Sequence, residues 1–194
     1  MLLAAPFLKF LSPPFVDVYS NTSIVSRETS KSSGGSVINY SSWFHPQLQT
    51  SADSLQWSTL QIPITRRDLT PPAVFGEWNV TRHMFHIVYY EREGVLPHMR
   101  HWKDGKLDLT QTFKSYDENT VWPNENHELA DLLQEFQQLR AQQIALLPTF
   151  TDTDWLKIRP SGWEERNMHW IVAKTFQHTA DHMNTILQMA LFWR

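Results

Sequence analysis

Apolar residues recur at helical spacing in four separate stretches of this 194-residue chain. The clearest stretch runs from Leu129 to Leu147, carries glutamine and arginine on its opposite side, and is followed directly by Pro148. A spacing of three and four residues is typical of helices with one buried side, whereas a half-buried strand alternates apolar and polar residues. The sequence shows no convincing alternation and therefore predicts an all-α fold.

The ends of the other three helices are marked by residues that cap or interrupt helices. Asparagine is a favoured N-cap because its side chain accepts a hydrogen bond from a free N–H of the first turn. Proline can occupy the first turn of a helix, but elsewhere it has no N–H with which to continue one. We therefore predict a first helix from near Pro46 through Leu60, a second from the N-cap Asn79 to about Leu96 with Pro97 as its stop, and a fourth from around Asn167 to near the chain end.

The link between the second and third helices, from His98 to Trp122, is long for a helix–helix connection. A long crossover explains this length, because it lets the two helices avoid being antiparallel neighbours. We predict a four-helix bundle over residues 43–194 with a long crossover between helices 2 and 3. The preceding residues 1–42 are crowded with Ser, Thr and Asn in their second half and predict an irregular N-terminal arm.

The composition excludes several classes of function. The formal net charge is -3, the isoelectric point is near 6.3 and the sequence has no basic stripe, so we expect no nucleic-acid partner. No run approaches the roughly 18 apolar residues of a membrane-spanning helix, so we expect no membrane partner, and prolines near the N-terminus disfavour a signal peptide. The absence of cysteine fits a cytoplasmic protein and leaves imidazole and carboxylate as metal-binding groups.

His178 and His182 stand four residues apart in the fourth helix, so their imidazoles project from one face, close enough to share a metal ion. Burying two polar rings without partners costs on the order of a few kcal/mol, so either a metal or hydrogen bonds to neighbouring helices or water must satisfy them. The spacing alone leaves both interpretations open. Thr179 stands where the His-Glu-x-x-His proteases carry their general base, which disfavours that class of hydrolase.

A metal held by this pair needs a third ligand from another element. His86 has the better inward phase of the two histidines in the second helix, the other being His83. His98 and His101 follow the predicted end of that helix, where we expect exposure to solvent. His169 lies at the beginning of the fourth helix, too far along it to reach the same ion easily. His86 is the best geometrical choice.

Two segments resemble a known family. The segment from Gly76 to His86, with a tryptophan eight residues before the histidine, and the segment from His169 to His182 are similar to the metal-binding motifs of DinB-like proteins, the DinB/YfiT superfamily. The resemblance covers roughly residues 43–194 and implies a metal triad of His86, His178 and His182. The sequence departs from the family where Met183-Asn-Thr-Ile replaces the Arg-Gly-Gln-like run that commonly follows the last histidine.

The resemblance also implies a function. It implies a homodimeric bundle with a divalent ion, zinc or nickel, on three histidines, and an open coordination position that activates a thiol or water. Characterised relatives include thiol-dependent transferases that use low-molecular-weight thiols, so we expect a transferase or hydrolase with a small-molecule substrate.

The sequence assigns no catalytic residue beyond the metal ligands. Glu93 and Tyr90 follow His86 at helical spacing and are candidates to hydrogen-bond a ligand, to act as acid or base, or to line the pocket. The alternative function is a non-catalytic metal-binding or structural helical bundle protein. In that case a fourth protein ligand, such as Glu93 or His83, would close the site.

Overall fold

The computed structural model describes residues 39–104, 118–122, 128–161 and 164–193, and the described part is mostly helical. Apart from short 3-10 turns, the elements in chain order are α1 (Tyr40–Leu60), α2 (Val80–Tyr89), a π-helical turn (Tyr90–Val95), α3 (Leu96–Asp104), α4 (Glu118–Val121), α5 (Leu129–Leu146), α6 (Asp152–Leu156), β1 (Arg159–Ser161), β2 (Glu164–Arg166) and α7 (Met168–Phe192). The all-α fold class predicted from the sequence agrees with this content, apart from one small hairpin in which β1 and β2 pair antiparallel.

Asparagine N-caps begin three of the long helices. The side chains of Asn79 and Asn167 accept hydrogen bonds from the third residue beyond each, which confirms the two predicted starts. The first helix, however, begins at Tyr40, behind the N-cap Asn39, and the prediction of a start near Pro46 was wrong. Pro46 lies within α1 on its exposed side, where water can serve the carbonyl that a proline leaves without a donor.

The sequence predicted that the second helix stops at Pro97, and this was wrong. The Tyr90–Val95 turn shifts the hydrogen-bond ladder to a spacing of five residues, with the N–H of Leu96 donating to the carbonyl of Glu91, and α3 then continues to Asp104. Pro97 therefore falls in the first turn of α3, where its missing N–H costs least.

The continuous unit of α2, the π-turn and α3 lies parallel to α5. Arg92 contacts Glu135, and Arg100, two turns further on, contacts Gln142, which also lies further along α5. A short turn cannot join two helices that are parallel neighbours, because the chain must first return along their length. The connection between Asp104 and Leu129 therefore has to be long.

Contacts at both ends show that α1 and α7 are also parallel. Near their beginnings the ring of Phe44 contacts the ring of His169, and just beyond α1 the side chain of Arg66 donates to the carbonyl of Trp193 at the end of α7. α2 is antiparallel to α7, since His83 contacts His182 while His86 contacts His178. This antiparallel pair carries the site described below.

Two groups of buried apolar side chains form the core. One lies among α1, α2, α5 and the end of α7. The other includes several aromatic rings and lies where α1, α3, α6 and the start of α7 meet. Among the largest fully buried side chains are Trp102, Trp155, Phe44, Phe85, Phe136, Leu48 and Leu55.

A buried ion pair crosses this core. The guanidinium of Arg140 on α5 donates to the carboxylate of Glu91 in the π-turn, and both side chains are almost wholly buried. Gln143 donates to the second oxygen of Glu91 at 3.0 Å, and Arg140 also donates to Thr179 on α7 at 2.9 Å and to Ser51 on α1 at 3.3 Å. Three helices and the π-turn are thus joined by one polar network.

Two further sequence predictions concern the N-terminal arm and membrane-spanning helices. Most of the predicted N-terminal arm, residues 1–38, lies outside the described residues, and residues 40–42 at its end belong to α1. In the described part of the chain, no helix is both long enough and apolar enough to cross a membrane.

Candidate metal centre

The Nε2 atoms of three histidines converge between α2 and α7. Nε2 of His178 lies 2.9 Å from Nε2 of His86 and 3.2 Å from Nε2 of His182. Each of these residues can offer one nitrogen to a shared ion. The structure thus brings together the three histidines that the sequence had singled out, and we refer to them as the three-histidine cluster.

Local helix geometry explains this convergence. His178 and His182 are four residues apart on α7, so their rings lie one turn apart on the same side. His86 faces them from the antiparallel α2, two turns after the N-cap Asn79, which fixes where that helix begins.

The donor set suits a divalent cation. Nitrogen ligands at about 2.0–2.1 Å from a tetrahedral zinc ion lie about 3.3 Å from one another, close to the separations of 2.9 and 3.2 Å in the structure. Without an ion, Nε2 of His178 faces two nitrogens but carries either one proton or one in-plane lone pair. One of its two contacts then lacks a good hydrogen bond, whereas a cation accepts all three lone pairs.

Burial keeps two of the rings neutral. Desolvation, with smaller contributions from neighbouring imidazoles, lowers the pKa of His178 to about 3 and the pKa of His182 to about 2. A neutral imidazole is the form that binds metal, because protonation occupies the lone pair. Both rings therefore offer a free nitrogen at neutral pH.

The outer nitrogen of His86 is held by a carboxylate. Nδ1 of His86 lies 2.5 Å from Oε2 of Glu118 on α4, and Oε1 of Glu118 lies 2.5 Å from the guanidinium of Arg82. An ionised carboxylate only accepts hydrogen bonds, so Nδ1 carries the proton and Nε2 presents its lone pair to the cluster. A carboxylate in this place is common around metal-binding histidines.

The outer nitrogen of His182 faces a different kind of group. Its Nδ1 lies 2.8 Å from Nδ1 of His83, one turn before His86 on α2. His83 therefore contacts the far side of a ligand ring and does not join the three Nε2 atoms as a fourth ligand. Burial lowers the pKa of His83 to about 4, so this partner is neutral at pH 7.

Aromatic rings surround the cluster. The ring of Trp78 stacks parallel to that of His182 at 6.2 Å between centroids and lies 5.0 Å from that of His86. Tyr90, one of the two residues predicted to assist the site, lies with its ring 4.1 Å from that of His178. Burial raises the pKa of the Tyr90 phenol above its usual value.

Three other residues considered from the sequence lie elsewhere. Glu93 has a half-exposed side chain and forms an ion pair at 2.8 Å with Arg92, rather than with a histidine of the cluster. The expectation of exposure was wrong for His98, which is fully buried on α3 and donates from Nδ1 to the carbonyl of Gly94 at 2.6 Å. His169 contacts Phe44 at the start of α7, more than two turns before His178.

Sequence reasoning missed Glu118 and Arg82. Glu118 comes from the link between the second and third helices, which has no periodic pattern to predict which residue turns inward. Arg82 had a signal that could have been used, because it stands one turn before His86 on the same helix.

Comparison with known proteins gives one match. The family model described as the DinB superfamily matches residues 49–186, more than half of the chain and a range that includes every residue of the cluster and of its Arg82–Glu118 support. No curated protein and no solved structure matches the chain. The resemblance predicted from the two histidine segments is confirmed.

Proposed function

The chain belongs to the DinB superfamily, and from this premise we propose that it is a metalloprotein with the four-helix bundle and long crossover of that family. His86, His178 and His182 are its proposed metal ligands. The observation that carries the proposal is the meeting of their three Nε2 atoms at separations of 2.9 and 3.2 Å. Hydrogen bonding among the rings cannot satisfy all three atoms, whereas coordination of an ion can.

We propose further that the site is catalytic. Within the described residues, no fourth histidine or carboxylate lies close enough to the three Nε2 atoms to share their ion, which supports an open coordination position. A divalent ion with such a position binds a thiol or water and lowers its pKa, which produces a nucleophile at neutral pH. The chain would then be a thiol-dependent transferase or a hydrolase.

The residues around the three-histidine cluster would have separate roles. Trp78 and Tyr90 flank the rings and restrict water, while Glu118 and His83 orient two of the ligands through their outer nitrogens. The ion would be zinc or nickel, since imidazole suits both. A small-molecule substrate, a low-molecular-weight thiol, a homodimeric state and a cytoplasmic location complete the proposal, and these rest on the family.

Metal analysis of protein purified without a polyhistidine tag tests the ligand set. We expect about one equivalent of a divalent metal per chain in the unaltered protein and a loss of most of it in His182→Ala. His45→Ala is the matched control, because His45 is an exposed histidine on α1, and it should keep the full equivalent. Equal metal contents in all three proteins would contradict the proposal.

The alternative is a closed, structural metal site. Cobalt substitution separates the two functions, because the visible spectrum of cobalt responds to a change of ligand. An open site predicts that an added thiol or azide changes the spectrum of the cobalt protein. A tetrahedral spectrum that neither ligand alters would support the non-catalytic function instead.

A further inference from the structure

His86 differs from the other two histidines in its support. Its outer nitrogen meets a carboxylate, whereas the outer nitrogen of His182 meets the neutral ring of His83. Nδ1 of His178 is buried and has no hydrogen-bond partner among the described residues. A carboxylate is the strongest acceptor of the three environments, so His86 is the ligand whose proton position and ring orientation are fixed most firmly.

Glu118 could not occupy this place alone. Glu118 is 7% exposed, and an ionised carboxylate removed from water to this degree needs a partner of opposite charge. Arg82, also 7% exposed, supplies that charge at 2.5 Å from Oε1, while Oε2 remains for His86. The carboxylate therefore bridges a guanidinium and an imidazole with one oxygen each.

Aromatic rings hold the guanidinium itself. The Cζ atom of Arg82 lies 4.9 Å from the ring centroid of Trp78, 4.9 Å from that of Trp122 and 5.3 Å from that of Phe85. Cations are attracted to the faces of such rings, and three of them leave the side chain little freedom. Trp78 also stacks on His182, so the same ring touches both the support and the cluster.

We propose that Arg82 and Glu118 are a positioning pair for His86: the caged guanidinium holds the Glu118 carboxylate on Nδ1–H of His86, which directs the Nε2 lone pair at the cluster. The inference rests on the proposed metal site, since it concerns how one ligand of that site is oriented. It makes α4, a helix of four residues within the link between the second and third long helices, part of the metal centre.

Zinc affinity, measured by competition with a chromophoric chelator, tests the pair. Glu118→Gln keeps the shape of the side chain and removes its charge, and we expect zinc binding to weaken about 10–100-fold. Arg82→Met should weaken it by a smaller factor. Because Arg82 acts through Glu118, the double variant should bind zinc no more than about twofold worse than Glu118→Gln alone.

Arg92→Met is the matched control. Arg92 also forms ion pairs with glutamates, Glu93 and Glu135, but these lie near the surface and away from the cluster. The zinc affinity of Arg92→Met should stay within about twofold of that of the unaltered protein. Unfolding of each metal-free variant is measured alongside, so that a loss of stability is not counted as a loss of affinity.

A second measurement does not depend on affinity. In zinc-loaded protein labelled with ¹⁵N, the Nδ1 proton of His86 should be visible and slow to exchange, and in Glu118→Gln it should exchange faster. An unaltered protein that binds no zinc would contradict the proposed function. Zinc binding that is normal in Glu118→Gln, with an unchanged Nδ1 proton, would overturn the positioning pair while leaving the metal site intact.

Discussion

Two buried arginine–glutamate pairs in this protein differ in what completes them. The pair of Arg140 and Glu91 is completed by neutral groups of the core, among them Gln143 and Thr179. The pair of Arg82 and Glu118 is completed by His86, whose other nitrogen faces two further histidines. We call them the core pair and the site pair.

The comparison separates two uses of buried charge. The core pair uses its hydrogen bonds to join helices, and burial raises the pKa of Glu91 against the opposing effect of Arg140. In the site pair, one carboxylate oxygen contacts His86, a histidine that could bind a metal ion. Removing the core pair should therefore affect mainly folding, and removing the site pair should affect mainly the metal.

The largest effect is expected from breaking the core pair. Arg140→Met leaves the Glu91 carboxylate buried without a counter-charge, and we expect a loss of about 3–5 kcal/mol in the free energy of unfolding of the metal-free protein. Urea unfolding measures this loss. Zinc affinity of the folded variant should fall much less than in Glu118→Gln, since Arg140 donates to Thr179 and not to a histidine of the three-histidine cluster.

Two controls sharpen this prediction. Arg92→Met removes a partly exposed arginine and should cost about 1 kcal/mol or less. Replacing both members of the core pair, Glu91→Gln with Arg140→Met, should recover part of the loss because no buried charge remains. If Arg140→Met and Arg92→Met destabilised the protein equally, the distinction between core and surface pairs would be lost.

A smaller effect is expected from His98, a buried histidine that lies outside the three-histidine cluster. Burial, with a minor contribution from His101, lowers the pKa of His98 from 6.5 to about 4, although the Gly94 carbonyl opposes the change. Between these two values the unfolded state binds more protons than the folded state, so stability falls as pH falls. His98→Gln removes this contribution.

Urea unfolding of the metal-free protein at pH 7 and at pH 5 measures the difference. The unaltered protein should lose about 1–2 kcal/mol more than His98→Gln over this interval. The histidines of the cluster are present in both proteins, so their contributions cancel in the comparison. Equal losses would show that His98 is protonated as readily in the folded protein as in the unfolded one.

The smallest effect tests whether a substitution at the start of α7 can lower the stability of the protein without changing its zinc affinity. Asn167 caps α7, which also carries His178 and His182, but it lies more than two turns before the nearer of them. Asn167→Ala should cost about 1 kcal/mol in unfolding free energy and leave zinc affinity unchanged. A parallel fall in affinity would mean that the cluster depends on the stability of the whole helix.

The sequence was most informative where local rules operate. The N-cap Asn79, the start of the fourth helix near Asn167, the apolar period of α5 and the four-residue spacing of His178 and His182 depend on neighbours in the chain. The structure agrees with each. The extent of the second helix was not predicted, because the π-turn that accommodates Pro97 has no pattern in the sequence. Proline alone predicts a stop.

The support of the site was harder to predict because it depends on distant parts of the chain. Glu118 is 32 residues from His86, and its contact with that histidine requires the fold of the intervening link. Glu93, chosen from helical spacing, instead pairs with its neighbour Arg92. The sequence-based prediction thus chose Glu93, which is close to His86 in the chain, whereas Glu118 is the carboxylate that contacts His86 in space.

X-ray absorption at the metal edge of tag-free protein, loaded with one equivalent of zinc, tests the central claim most directly. We predict three imidazole nitrogens at about 2.0–2.1 Å and one further light-atom ligand that an added thiol replaces with sulfur at about 2.3 Å. A site with four imidazoles, or one in which His182→Ala leaves the spectrum unchanged, would contradict an open site on His86, His178 and His182.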